Sequence, residues 1–176
     1  MMATADVLEI LERLGKAGVR VWLDGGWGVD ALVGEQTRPH DDLDVVIALA
    51  DASAAIAALA ESGFAISEDE RPTRFVARDA RDRRIDFHPV VFDEDGGGTQ
   101  YLQDGSPWRY PPEGFAGCGL VDGLPVACIS PEVQVLCHLG YEVDQTDRHD
   151  MQLLSERFGV LLPSPYGDAK ASGHSW

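Results

Sequence analysis

At 176 residues, 44% hydrophobic and 25% charged, the chain has ordinary globular composition and the length of one domain with a real core. Its 30 acidic against 14 basic residues give a formal charge of -16, which repels nucleic-acid phosphate and anionic lipid and favours cationic partners or metal ions, although a merely soluble surface has the same composition. Cys118, Cys128 and Cys137 are odd in number and lack C-x-x-C spacing, which argues against a disulfide framework or a zinc finger, and no apolar run approaches a membrane span. No basic leader precedes an apolar core, so the expected location is the cytoplasm, with no membrane partner.

Residues 6–17 place Val7, Leu8, Ile10, Leu11 and Leu14 at helical spacing, and Gly15 and Gly18 end that helix. Val19 to Leu23 reads as a short strand running into Asp24, Gly25 and Gly26, with a helix expected over 28–33 and a loop over 34–39. Asp42 to Leu49 is polar at its start and continuously apolar later, as a central strand is. An alanine-rich helix follows at 52–62, then strands at 64–67, 73–78 and 84–92. The segments 93–98 and 107–119, rich in Gly, Pro and Asp, read as loops, with a final strand over 123–129. Ser130 before Pro131 and Glu132 has the form of a helix start, giving a helix to about 140, and a last helix spans roughly 145–158. A single domain over 1–163 with a helical C-terminal part, about 130–160, and a flexible tail over 164–176 results.

The chemistry concentrates in DGGWGVDALVGEQTRPHDDLD, residues 24–44. Two glycines between a strand and a helix let backbone N–H groups approach phosphate oxygens, while strand-to-helix turns also use glycine for its backbone freedom alone. Neither a phosphate-binding GKS/GKT loop nor a complete dinucleotide fingerprint is present. Asp42 and Asp44 stand two apart in a strand and project from one face, where they repel unless a cation neutralises them; a hard divalent ion such as Mg²⁺ suits such a pair. Asp86, in IDFHPV, points opposite to Ile85 and Phe87. If its strand neighbours that of Asp42, three carboxylates converge as in-line phosphoryl transfer with one or two Mg²⁺ ions requires, Asp86 bridging the metals or taking the acceptor hydroxyl's proton. His40, just before the aspartate pair, and His88, on the face of Asp86, are supporting partners of the site or simply satisfied histidines. Trp108, Tyr101 and Tyr110 offer aromatic surface for an acceptor pocket, and Glu113 with the Asp93–Asp95 run adds negative charge suited to an amine-bearing sugar.

The segment GGWGVDALVGEQTRPHDDLD resembles the small antibiotic nucleotidyltransferases, of the lincosamide and aminoglycoside 2''-O types, within the DNA polymerase β-like superfamily. The likeness resumes at Arg84 to Val90 and in HLGYEVDQTDRHDMQLL, 138–154. It implies an α+β fold, a mixed β-sheet flanked by helices with further C-terminal helices. Gly25 and Gly26 would lie near the triphosphate, and Asp42, Asp44 and Asp86 would be the catalytic, metal-binding carboxylates. Arg38 would contact phosphate, and Arg148 or His149, before Asp150, would meet the nucleotide. The activity implied is Mg²⁺-dependent transfer of a nucleoside monophosphate, AMP in the first instance, from an NTP to a hydroxyl of an aminoglycoside or lincosamide, releasing pyrophosphate. A homodimer in which the partner completes the acceptor pocket is compatible with the family. Two readings compete: a non-catalytic nucleotide-binding or antitoxin-like module, against which the intact carboxylate trio stands, and an enzyme of RNA or DNA ends, which would need the basic groove this acidic chain lacks.

Overall fold

Residues 42–48 carry Leu43, Val45 and Ile47, all fully buried, on one side and Asp42 and Asp44 on the other. Residues 74–78 and 84–92 repeat the alternation, with Phe75, Ala77, Ile85 and Phe87 joining the same apolar face. Stacking these segments therefore makes a sheet with one dry face and one functional face. The computed structural model, which describes residues 1–140 and 142–167, has that form. Its elements are α1 (Thr4–Lys16), β1 (Val21–Leu23), α2 (Gly25–Val33), β2 (Asp42–Ala48), α3 (Ala52–Ala60), β3 (Ala65–Glu70), β4 (Arg74–Arg78), β5 (Arg84–Phe92), β6 (Gly98–Tyr101), β7 (Pro107–Tyr110), β8 (Gly117–Val121), β9 (Leu124–Cys128), α4 (Pro131–Cys137) and α5 (Gln145–Phe158).

The strands run in the order β3-β4-β5-β2-β1-β9-β8, with the β6–β7 hairpin attached to the far end of β5. The pairing β2 with β5 is parallel, as is β1 with β9, and the other pairs are antiparallel, so the sheet is mixed as expected. Helices α1 and α3 cover the dry face through Val7, Ile10, Leu14, Ala55 and Leu59, which pack with Phe75 and Phe87. Those two rings stack at 4.4 Å with an interplanar angle of 5°. A smaller cluster of Trp22, Val46, Val90, Tyr110, Ile129 and Val133 lies on the other side, and a third joins Val29 of α2 to Val135, Met151 and Leu154 of the C-terminal helices. Arg83, nearly inaccessible, pins α1 to the β4–β5 turn by pairing with Asp79 at 2.7 Å, Glu9 at 2.9 Å and Asp6 at 3.0 Å.

Several boundaries differ from the sequence expectation. Helix α2 begins at Gly25 rather than 28, because the Asp24 carboxylate accepts from the Gly25 N–H at 2.9 Å and caps it, so the glycines form the first turn. The segment 107–119, read as loop, contains β7 and the start of β8. Asp122 and Gly123, both at positive φ (51° and 75°), make the two-residue turn that closes β8 on β9. At the C-terminus residues 164–167 form a turn in which the Tyr166 hydroxyl donates to the His138 carbonyl at 2.6 Å, while the rest of the expected tail, 168–176, lies outside the described residues. Among the described residues no helix is long and apolar enough to cross a membrane. Phe87→Ala removes the ring that joins β5 to the helices and should cost about 3–5 kcal/mol, measured as a lowered midpoint in urea with an unchanged slope.

Candidate active site

The parallel register of β2 and β5 sets Asp44 directly beside Asp86, Asp42 beside Arg84 and Val46 beside His88. Because side chains alternate, Asp42, Asp44, Arg84, Asp86 and His88 share the face away from the α1–α3 core. Asp44, Asp86 and His88 offer ligand atoms within 4.8 Å of one another. Asp42 stands a step away, on the same face, with a carboxylate oxygen 3.6 Å from Arg84 Nη1. Arg84 Nη2 also reaches Asp86 at 3.1 Å, and Arg74 grips Asp86 with Nε at 3.2 Å and Nη2 at 2.9 Å. The three carboxylates expected from the sequence are thus on one face, Asp44 and Asp86 in a tight group; arginines contact Asp42 and Asp86, while Asp44 faces His88 at 3.5 Å.

Gly25 and Gly26 line the same cavity as Asp44. A Cβ on Gly25, which sits at φ 55°, would fall 2.5 Å from Asp44 Oδ2, and one on Gly26 would fall 2.5 Å from Arg38 Nη2. The bare backbone therefore brings the α2 N-terminus, with its outward N–H groups, against the carboxylates. Arg38 is fixed there by a two-point pair with buried Asp150 of α5, Nε to Oδ1 at 3.0 Å and Nη2 to Oδ2 at 2.6 Å. His40 lies beneath: it is buried, 2.5 Å from Asp30 Oδ2, with its ring against Trp27. Its role is to support the glycine turn from below.

Arg148 departs from its expected place. Its guanidinium donates to the Pro165 carbonyl at 3.1 Å and it does not line the cavity, because on α5 the inward positions are Asp147 and Asp150. His149 faces Thr37 instead, 3.3 Å away. The cavity, of about 850 Å³, continues past the carboxylates to an apolar wall of Leu102, Trp108, Tyr110, Leu136 and Leu139. Of the aromatics singled out in the sequence, Trp108 and Tyr110 line it. Arg74 and Gln100 escaped sequence reasoning; an arginine opening a strand two residues before a buried Val76 carries no local mark of a site, although its alternation with Phe75 places it on the carboxylate face.

Burial opposes charge on His88, but the hydrogen bond and charge of Asp44, with the charges of Asp24 and Asp86, raise it to about 9. Burial likewise pushes Asp44 upward, and His88 more than reverses it, so Asp44 is held below the usual carboxylate range. Asp42, partly desolvated and next to Asp44, is raised, and burial also raises Asp24. A protonated His88 is a donor to Asp44 rather than a metal ligand, which leaves a set of carboxylate oxygens beside a glycine cradle. That donor set fits a hard divalent ion such as Mg²⁺.

A glycine turn on a helix N-terminus facing aspartates on two parallel strands of a mixed sheet is the apparatus of a nucleotidyltransferase. The family model of Aminoglycoside-2''-adenylyltransferase matches residues 6–154, and the chain belongs to that family. It is 32% identical over 149 residues to a lincosamide resistance protein of Staphylococcus haemolyticus, covering 85% of this chain and 92% of that protein. It is 27% identical over 133 residues to a 2''-aminoglycoside nucleotidyltransferase of Klebsiella pneumoniae, covering 76% and 71%. The lincomycin-bound crystal structure of the lincosamide antibiotic adenylyltransferase LnuA superposes with a TM-score of 0.78 at 30% identity, over 88% of this chain and 97% of that one. ANT(2'')-Ia in complex with adenylyl-2''-tobramycin shares the fold, with a TM-score of 0.71 at 21% identity over 87% of each chain. The resemblance to the antibiotic nucleotidyltransferases, and the α+β fold it implied, are borne out.

Gly25→Ala would place a methyl group in the Asp44 carboxylate at an unfavourable φ; nucleotide affinity, followed by calorimetry, should fall while the far-UV circular dichroism stays unchanged. Because His88 stands above its ordinary value of 6.5, its contribution to stability is complete below about 6.5 and is lost as pH rises through about 9. Metal-free protein should therefore lose denaturant resistance across that interval, and His88→Gln should flatten the loss.

Proposed function

We propose that the enzyme transfers AMP from Mg·ATP to a hydroxyl of a lincosamide, or of an aminoglycoside, and releases pyrophosphate. The observation that carries this reading is that Asp44, which lines a cavity with two chemically distinct ends, stands directly beside Asp86 on the neighbouring strand. At one end the Gly25–Gly26 backbone and Arg38 offer donors and positive charge to a triphosphate. At the other, Leu102, Trp108, Tyr110 and Leu136 present apolar surface to an amphiphilic acceptor. That wall favours a lincosamide, in keeping with what the Staphylococcus haemolyticus relative and LnuA are named for. Asp104 and Asp147 on the rim favour an amine-bearing sugar and support the aminoglycoside as the second acceptor class.

Asp42, Asp44 and Asp86 would hold the divalent ion, which when bound supplies charge neutralisation for the reacting phosphate and the leaving pyrophosphate. The acceptor oxygen attacks the α-phosphorus, the bond from that phosphorus to the bridging oxygen breaks, and pyrophosphate leaves with that oxygen. Asp86 accepts the hydroxyl proton; its pair with Arg84 holds the carboxylate beside Asp44. Arg38, anchored by Asp150, holds the phosphate end so that the reacting groups meet in one geometry. The apolar wall keeps water from competing with the acceptor.

Pyrophosphate release with Mg²⁺ and ATP, measured against lincosamides and aminoglycosides with mass spectrometry of the acceptor, should show an added adenylyl group. Asp44→Asn should abolish turnover, and Asp86→Asn should lower kcat roughly 10²–10⁴-fold while ATP still binds. Nucleotide binding without pyrophosphate release against every acceptor would instead favour the non-catalytic module.

A further inference from the structure

Arg74 has two seats. On one side it makes the two-point pair with Asp86, at 3.2 and 2.9 Å. On the other, Nη1 lies 2.9 Å from Glu68 and 3.7 Å from Glu70, both on the edge strand β3. Arg84 adds a second guanidinium between Asp42 and Asp86, at 3.6 and 3.1 Å. Arginine keeps its charge at every working pH, so the carboxylates that would receive a divalent ion are already largely compensated by fixed cations. Asp86 is the more constrained of them, buried and with both oxygens engaged by Arg74. A free dication arriving here gains little net attraction and meets two guanidinium groups at short range. A dication arriving with a triphosphate brings excess negative charge, and that charge both offsets the arginines and gives them a partner. Glu68 and Glu70 allow Arg74 to loosen its hold on Asp86 without being left as an unpaired, three-quarters-buried charge.

We propose that Arg74 is a positioning residue that makes metal entry depend on the nucleotide: it occupies Asp86 in the unloaded enzyme, excludes the free divalent ion and yields when the ion arrives with a triphosphate. This rests on the reading of Asp42, Asp44 and Asp86 as the metal-binding set. The residue comes from β4, on the opposite side of β5 from β2, and it lines the cavity, so it can act on the metal and the phosphates from one place.

The test is titration of the full-length protein with Mn²⁺ at one fixed pH, followed by electron paramagnetic resonance, without nucleotide and with α,β-methylene-ATP. Wild type should bind free Mn²⁺ weakly and bind it well with the analogue. Arg74→Gln should bind free Mn²⁺ roughly tenfold more tightly, with the gain shrinking when the analogue is present. Arg74→Lys, which keeps the charge, should stay close to wild type, and Arg74→Gln should have no such effect on an Asp86→Asn background. Arg74→Gln that binds free Mn²⁺ no better than wild type, while the analogue still promotes Mn²⁺ binding to both, overturns the proposal and leaves the metal-site reading standing. Absence of Mn²⁺ binding by wild type even with the analogue overturns both. If Arg74→Gln does not fold, as judged by circular dichroism, Arg74→Ala paired with Glu68→Gln repeats the comparison without an unpaired acid, and failure of free Mn²⁺ to bind that variant more tightly is equally decisive against the proposal.

Discussion

Pairing β2 with β5 in parallel puts two aspartates side by side, and that costs free energy, because like charges directly across a strand pair repel. The register is held from the opposite face: Leu43, Val45, Ile85 and Phe87 are fully buried against α1 and α3, and a slip of one residue would turn all of them toward the cavity. Burial on this scale, at about 25 cal/mol per Å² of apolar surface, is what can offset a local repulsion on the other side. The same two strands thus carry both the apolar core and the carboxylate cluster, divided by the pleat.

Much of this was legible along the chain. Period-two alternation placed Asp42, Asp44, Asp86 and His88 on the functional face, and the apolar partners of the same strands marked the core. The glycine pair was found, but not its helical state, which depends on the Asp24 carboxylate capping Gly25. The strands at 107–110 and 117–121 were missed because Pro107, Gly117 and Gly119 dilute the apolar pattern, while the Asp122–Gly123 turn that closes the second hairpin passed unused. Gly119 is there because a Cβ would strike the Ala31 carbonyl of α2 at 2.2 Å, a contact between segments far apart in sequence.

Arg38, Arg74 and Arg148 show where sequence reasoning ends for side chains. Arg38 and Asp150 are separated by more than a hundred positions, yet their pair joins the glycine turn to α5 at one end of the cavity. Arg148, two residues before Asp150, points about 160° away from it around the helix, given 100° per residue between neighbours two apart, and so reaches the C-terminal turn instead. A motif places a residue on an element, whereas the direction it faces follows from what that element packs against.

The formal charge of -16 suggested a preference for cations, and the site shows why a total says little about a ligand. Around the carboxylates the chain gathers Arg38, Arg74, Arg84 and His88 together with the positive end of α2, while acids such as Glu12 and Asp82 stand on exposed helix and hairpin surfaces. With a Debye length of about 8 Å at physiological ionic strength, those outer acids are largely screened from the cavity. The carboxylates therefore sit in a nearly balanced cluster, in which Arg38, Arg74 and Arg84 are each fixed by an acidic partner.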